Sequence, residues 1–219
     1  MYLIITIYLI IIKNMFDIQN KKGKKYNYLN NYTINNQFNT FSICIENVFN
    51  HIECNKLIKI SEQNGYENAS LFEKNGKKIF YNDIRNGLRC VIDDINLASI
   101  IEQRISHIIP QEYKGKKYHS INTRFRFLKY NDSEHYFKPH TDGCYSTDKI
   151  MSMITILIYL NDDYVGTKTS IHKDLKTIIG EIEPNVGLIY LMDQNILHIV
   201  PNLISGTKYV IRTELMYSI

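Results

Sequence analysis

From residue 120 to the end of the chain, apolar side chains return at every second position, in runs 124–130, 152–160, 177–182, 187–192 and 208–217. A period of two marks a β-strand with one buried face. Runs of this kind joined by Asn, Asp and Gly turns predict a barrel or jelly roll. The first half reads differently. Residues 41–46 alternate as a strand, whereas 54–63 carry Leu57 and Ile58 at helical spacing before Gly65, a residue suited to ending a helix. A second helix is predicted over 97–109, where Ile100, Ile101, Ile105 and Ile108 recur at steps of three and four and Pro110 closes the run. Both helices read as supports for the β region.

Residues 1–12 are almost wholly apolar, from Met1 to Ile12, and the run stops at Lys13. As a helix it would span about 18 Å, short of the roughly 20 residues that a bilayer requires. No Lys or Arg precedes it and no small-residue cleavage site follows it, so it makes a poor signal peptide. A short hydrophobic anchor in contact with a membrane, an edge strand, and an extension upstream of a start at Met15 are all open, and the segment is read as lying outside the core. Residues 17–40 are rich in Lys, Asn and Tyr without a sustained period and read as a tail. The expected division is therefore a non-core segment 1–40 and one α+β domain over 41–219, with helical support in 41–112 and the β region in 113–219.

Composition narrows the function. A chain of 219 residues with 44% hydrophobic and 22% charged side chains has the mix of a single globular domain. The net charge of +4 is mild and its cations are scattered, so no nucleic-acid partner is expected. Four cysteines without a CxxC pair write neither a zinc knuckle nor a disulfide framework. They favour a reducing, cytoplasmic compartment, the alternative being the secretory pathway or a membrane if residues 1–12 are a targeting segment.

Within the β region one set of potential ligands is spaced informatively: His140 and Asp142, two residues apart, and then His198. Side chains two apart on a strand point to one side, so the first pair can chelate one ion and a histidine from a later strand can complete it. Two imidazoles and a carboxylate on one face leave three positions open, the arrangement of non-haem Fe(II) oxygenases. Taken alone, an HxD triplet in a chain with 7 His and 22 acidic residues is as readily a pair of surface residues. Ten residues after His198 comes Lys208, on a run where 208, 210 and 212 share a face. A cation there can pair with the distal carboxylate of a dicarboxylate. Tyr130 and Tyr159 can each offer a phenolic hydrogen bond to the same cavity, although ordinary packing explains an isolated tyrosine equally well. Arg85, Arg89, Arg124 and Arg126 can form a basic mouth for a peptide or an acidic small molecule, or a solvated surface. His135 reads as a loop residue and Cys144 as a small packing residue, while His172 has only its position to suggest contact with a substrate.

Phe127-Leu-Lys-Tyr130, Phe137-Lys-Pro-His140-Thr-Asp142-Gly143, Leu157-Ile-Tyr-Leu-Asn161, Gly187-Leu-Ile-Tyr190, and His198 followed by the run 206–217 together resemble the catalytic domain of the prolyl 4-hydroxylase-type 2-oxoglutarate/Fe(II) dioxygenases. Residues 46–58 and 85–94 are similar to that family's N-terminal half, so the resemblance covers about 41–217. It implies a double-stranded β-helix (jelly-roll, cupin-like) core, with His140, Asp142 and His198 as iron ligands. It further implies Lys208 as the grip on the 2-oxoglutarate tail, Tyr130 as a hydrogen-bond donor to the cosubstrate, and Tyr159 as another. Arg212 competes for the tail, because related oxygenases place a carboxylate-binding Arg at that distance from the distal His; one of the two cations then binds the tail while the other pairs with Glu214 or Asp193. Fe(II), 2-oxoglutarate and O₂ are the implied cofactor and cosubstrates, with ascorbate as a reductant. The implied reaction hydroxylates an aliphatic C–H, a prolyl residue of a protein or peptide being favoured over a small molecule or another side chain. Val165-Gly-Thr-Lys-Thr169 stands where relatives often have Gly-Gly-Glu-Thr, a departure on the substrate side. Two other readings remain open: a non-catalytic cupin-like metal-binding domain, and a cupin-type metal enzyme that does not use 2-oxoglutarate.

Overall fold

The computed structural model describes residues 25–27, 40–69, 72–74, 77–79 and 84–219. The apolar run 1–12 and most of the polar stretch after it lie outside the described residues.

Strand β1 (Ser42–Glu46) leads into helix α1 (His51–Asn64). Asn50 caps that helix: its side chain accepts from the Glu53 backbone while the Glu53 carboxylate accepts from the Asn50 N–H, a reciprocal capping box. Gly65, at φ 80°, ends it. Strands β2 (Arg85–Asn86) and β3 (Leu88–Asp93) follow, then helix α2 (Ile95–Ile105), whose first amides are capped by Asp94. The remaining main strands are β4 (Lys116–Ile121), β5 (Arg124–Tyr130), β6 (Tyr136–His140), β7 (Ile150–Tyr159), β8 (Thr169–His172), β9 (Ile178–Ile182), β10 (Ile189–Asp193), β11 (Leu197–Val200) and β12 (Lys208–Ser218).

These strands form two facing antiparallel sheets. The larger runs Lys25–Asn27, β1, β10, β7, β12, β5, β3 and Glu67–Asn68, with β4 pairing the far half of β12. The smaller runs β9, β8, β11, β6, β2. The two faces of the large sheet do different work. One carries Phe125, Phe127, Ile154, Ile156, Ile189, Leu191 and Ile211 against Cys54 and Leu57 of α1 and Leu97 and Ile101 of α2. Its other face supplies Leu157, Tyr159, Tyr190, Met192 and Val210 to a second cluster, joined by Ile171 and Ile182 of the small sheet. Alternation along each strand therefore divides helix-facing from cavity-facing residues. Arg104 of α2 binds α1 through a two-point contact with Glu53, at 3.0 and 2.7 Å, and donates to the Val48 carbonyl at 2.9 Å.

The fold is the expected double-stranded β-helix. Segment 41–112, however, is more than helical support. It lends β1 and β3 to the large sheet and β2 to the small one, because Leu88–Asp93 alternates in the same manner as the later strands. Residues 25–27, within the segment expected to lie outside the core, pair with β1 as an edge strand. The second helix ends at Ile105 rather than 109, and its last turn continues as bonds from Ile108 and Ile109 to the Ile105 carbonyl. No helix among the described residues is long and apolar enough to cross a membrane.

Candidate metal centre and its cavity

His140 and His198 are 58 positions apart in sequence but direct cross-strand partners between β6 and β11. Their ring centroids lie 4.1 Å apart. The β6–β11 register shifts between Phe137 and His140, and this bulge breaks the alternation so that residues three apart share a side. Phe137 consequently stacks on the His140 ring, with centroids at 3.4 Å and planes 14° apart. Asp142 follows the strand end, its amide donated to the Gln194 carbonyl. One ligand atom from each of His140, Asp142 and His198 falls within 4.8 Å of the others.

The protonation states suit a cation. His140 Nδ1 lies 2.7 Å from the Lys138 carbonyl and His198 Nδ1 2.9 Å from the Ile196 carbonyl. A carbonyl only accepts, so each Nδ1 carries a hydrogen and each Nε2 is left as the ligand atom. Burial, reinforced by the neighbouring His198, pushes the His140 pKa down to about 3, which keeps the ring neutral. Burial acts to raise the Asp142 pKa, but Arg212, His198 and the Thr155 hydroxyl outweigh it and hold the carboxyl well below its ordinary range. Two imidazole nitrogens with free lone pairs and an ionised carboxylate are the donor set that borderline transition metals, Fe(II) among them, accept.

Asp142 is held on both oxygens. Thr155 Oγ1 donates to Oδ2 at 2.6 Å. Arg212 Nε stands 3.1 Å from Oδ1, a charge contact whose N–H is not aimed at the oxygen. Arg212 also meets Glu214 Oε1 at 3.0 Å, an oxygen shared with Arg126 at 2.9 Å, and Asn122 donates to the other oxygen. Burial opposes the Arg212 charge, but Asp142 and Glu214 raise its pKa above the ordinary value.

Lys208 is in a different state. It is 1% exposed, donates to the Thr167 carbonyl, and sits 5.5–5.7 Å from the ring centroids of Tyr130, Tyr159 and Tyr164. It has no carboxylate partner among the described residues, and burial alone lowers its pKa to about 7. The strand that presents it is braced by Asn161, which donates to the Thr207 carbonyl and accepts from the Tyr209 amide. Gly166 and Thr167, at φ 87° and 52°, turn the departing Val165-Gly-Thr-Lys-Thr169 stretch so that the Thr167 carbonyl faces Lys208.

These residues line one cavity of about 980 Å³. Tyr130, His140, Asp142, His198, Lys208 and Arg212 all face it. Tyr159 does not line it; its hydroxyl donates to Oγ1 of Thr169, a lining residue, at 2.8 Å. Arg85, Arg89, Arg124 and Arg126, which the sequence left between a basic mouth and a solvated surface, do line it. Cys144 is exposed at its edge. His172 is buried with its Nε2 against Ser170 and is not in the cavity. Glu214, one of the two partners the sequence offers for the second cation, does pair with Arg212, whereas Asp193 pairs with Lys114. Thr155, which donates to Asp142, has no signal in the sequence beyond its place on strand β7.

No protein-family model and no curated protein matches the sequence. Solved structures do match the fold. The chain is similar to a prolyl hydroxylase of Trichoplax adhaerens, solved in complex with a hypoxia inducible factor oxygen degradation domain peptide fragment. The TM-score is 0.62 at 16% identity, over 84% of each chain. It is similar to the viral collagen prolyl hydroxylase of Paramecium Bursaria Chlorella virus-1 in its 2OG complex, with TM-score 0.53 and 18% identity over 82% of this chain and 97% of that one. A Pseudomonas putida prolyl-4-hydroxylase aligns with TM-score 0.56 and 13% identity over 80% and 91%. At these identities the likeness establishes the fold, the double-stranded β-helix in which 2-oxoglutarate/Fe(II) oxygenases are built.

Proposed function

We propose that the protein is an Fe(II)- and 2-oxoglutarate-dependent dioxygenase that hydroxylates an aliphatic C–H, with a prolyl residue of a protein or peptide as the favoured target. The observation that carries this reading is the meeting, in one cavity, of two imidazoles and a carboxylate within 4.8 Å with a buried lysine that has no carboxylate partner among the described residues. The fold shared with prolyl hydroxylases, one of them solved with a peptide, supports it.

His140, Asp142 and His198 would hold the metal. Iron bound there, with 2-oxoglutarate and O₂, supplies the oxidation: R–H, 2-oxoglutarate and O₂ give R–OH, succinate and CO₂. The chain's own residues bind and orient. Lys208 pairs with the distal carboxylate of the cosubstrate, an ion pair made strong by burial, and Tyr130 lines the same end of the cavity. Arg212 is the poorer candidate for that grip, since Asp142 and Glu214 already occupy it. It keeps Asp142 ionised instead. Leu157, Val200 and Val210 give the cavity an apolar wall that excludes water near the reacting carbon. Ascorbate would serve as the reductant that restores Fe(II). We place the protein in the cytoplasm on its four free cysteines.

The test needs no substrate. Fe(II) and 2-oxoglutarate are added to purified protein without oxygen, and the weak visible metal-to-ligand charge-transfer band is sought, with His140→Ala as control. The band is expected in wild type alone, and succinate formation in air is expected to vanish in His140→Ala and Asp142→Ala. Iron binding without the band would leave a cupin-like metal domain that does not use 2-oxoglutarate.

A further inference from the structure

The cavity holds more positive charge than the proposed cosubstrate can use. Arg85, Arg89, Arg124, Arg126, Lys208 and Arg212 line it, against Asp142 as the one carboxylate among the described lining residues. Glu214, 1% exposed beneath them, is shared by Arg126 and Arg212. Arg89 reaches Glu67 at 3.9 Å. Asp93 faces Arg124 in the strand register, but the two form no ion pair. Arg85 has no carboxylate partner among the described residues. Its guanidinium lies 4.9 Å over the Phe137 ring, which itself stacks on His140. The cations also oppose one another: Arg89 and Arg212 disfavour the charge on Arg85, and Arg126 and Arg124 that on Arg89, each adding to the larger effect of burial.

Register gives this charge a length. Lys208 pairs with Tyr130, Val210 with Leu128 and Arg212 with Arg126, and on the next strand Arg89 stands level with Leu128. From the Lys208 level to Arg124 is six residues of strand, about 20 Å. A five-carbon diacid spans about 5 Å, less than two residues of strand. Seated at Lys208, it cannot reach Arg124, six residues along the strand. Collecting like charges in a half-buried cavity costs stability unless a ligand of opposite sign repays it.

We propose that the row Arg85, Arg89, Arg126 and Arg124 binds a polypeptide segment carrying Asp or Glu side chains, laid from the metal centre to the exposed rim at Arg124. This rests on the dioxygenase reading for the purpose of the segment but not for its charge. An extended peptide of about four residues covers the distance of about 13 Å from the Arg89 level to Arg124, whereas a small acid covers one end.

The test offers the full chain a pool of randomised peptides about nine residues long, without oxygen, with Fe(II) and 2-oxoglutarate and again without either, and sequences what is retained. Asp and Glu should be enriched several-fold over Asn and Gln at two or more positions in low salt, and the preference should fade in high salt. Arg124→Glu should turn the preference at one end of the segment toward Lys and Arg. Arg85→Gln should erase it at the other end and Arg85→Lys restore it, responses that a merely structural role would not produce. Absence of acidic enrichment, or enrichment indifferent to both substitutions, overturns the proposal. So does an acidic dipeptide that competes as well as the full-length peptides, since the occupant is then a small acid. The charge-transfer band read on the same samples separates the two readings. Acidic enrichment without the band sinks the dioxygenase and leaves this inference standing, and the band without acidic enrichment does the reverse.

Discussion

Asp142 joins two systems of side chains, and its neighbours decide what each substitution near it should do. Its Oδ2 accepts from Thr155 and its Oδ1 faces Arg212. Partners of this kind orient a metal ligand and are typically worth about 10–100-fold in metal affinity. Thr155→Val keeps the shape and loses the hydroxyl, so Mn(II) affinity, measured by titration, should drop about tenfold or more. Arg212→Met should weaken the metal similarly and leave the 2-oxoglutarate requirement almost unchanged, whereas Lys208→Met should do the opposite. Metal and cosubstrate titrations on both variants check that split, and the reverse ordering would give the tail to Arg212. The cluster of His140, Asp142 and His198 was legible in the sequence because chelation demands close spacing, which His140 and Asp142 have. Which way Arg85, Arg89, Arg124 and Arg126 face, and that Thr155 meets Asp142, is decided by strand register, a relation that sequence neighbours do not carry.

Strands that obey the alternation were legible nearly to the residue: 124–130 was predicted and Arg124–Tyr130 is observed. Those around the site were not, for a shared reason. β6 contains Lys138 and Pro139 and a bulge, while β8 and β11 are four residues each and turn Thr169 and His198 toward the cavity. A strand that presents polar groups inward departs from the pattern by which strands are found. At the same scale one turn is sharply constrained. Gly187 has φ +77°, and its carbonyl accepts from the Val48 and Phe49 amides. A Cβ there would lie 1.8 Å from the Phe49 carbonyl oxygen. Gly187→Ala must therefore separate the entry to β10 from the segment that leads into α1. It should destabilise the protein by about 3 kcal/mol or more, read by urea unfolding. A loss under 1 kcal/mol would mean that this junction gives way easily.

For the whole molecule, Lys208 sets the requirement of the site against the stability of the fold. A lysine titrating near 10.5 when unfolded and near 7 when buried binds fewer protons in the folded state between those values. Stability therefore rises with pH from about 7 to about 10.5, and below 7 the full cost is present, at most about 5 kcal/mol at about 1.4 kcal/mol per pH unit. Lys208→Met preserves bulk and removes the charge, so it should melt at least about 5 °C above wild type near pH 7 and lose the rise in stability toward alkaline pH. A ligand that pairs with the lysine offsets the same cost. In Mn(II)-loaded wild type, 2-oxoglutarate at a hundred times its Kd should add about 2.7 kcal/mol of stability, and in Lys208→Met it should add nothing. Thermal melts over pH 6–10, with and without the cosubstrate, measure all three effects on two proteins. A Met variant that melts below wild type would mean that the lysine already has its counter-charge within the fold. A Met variant that still gains stability from 2-oxoglutarate would place the dicarboxylate on another cation of the cavity.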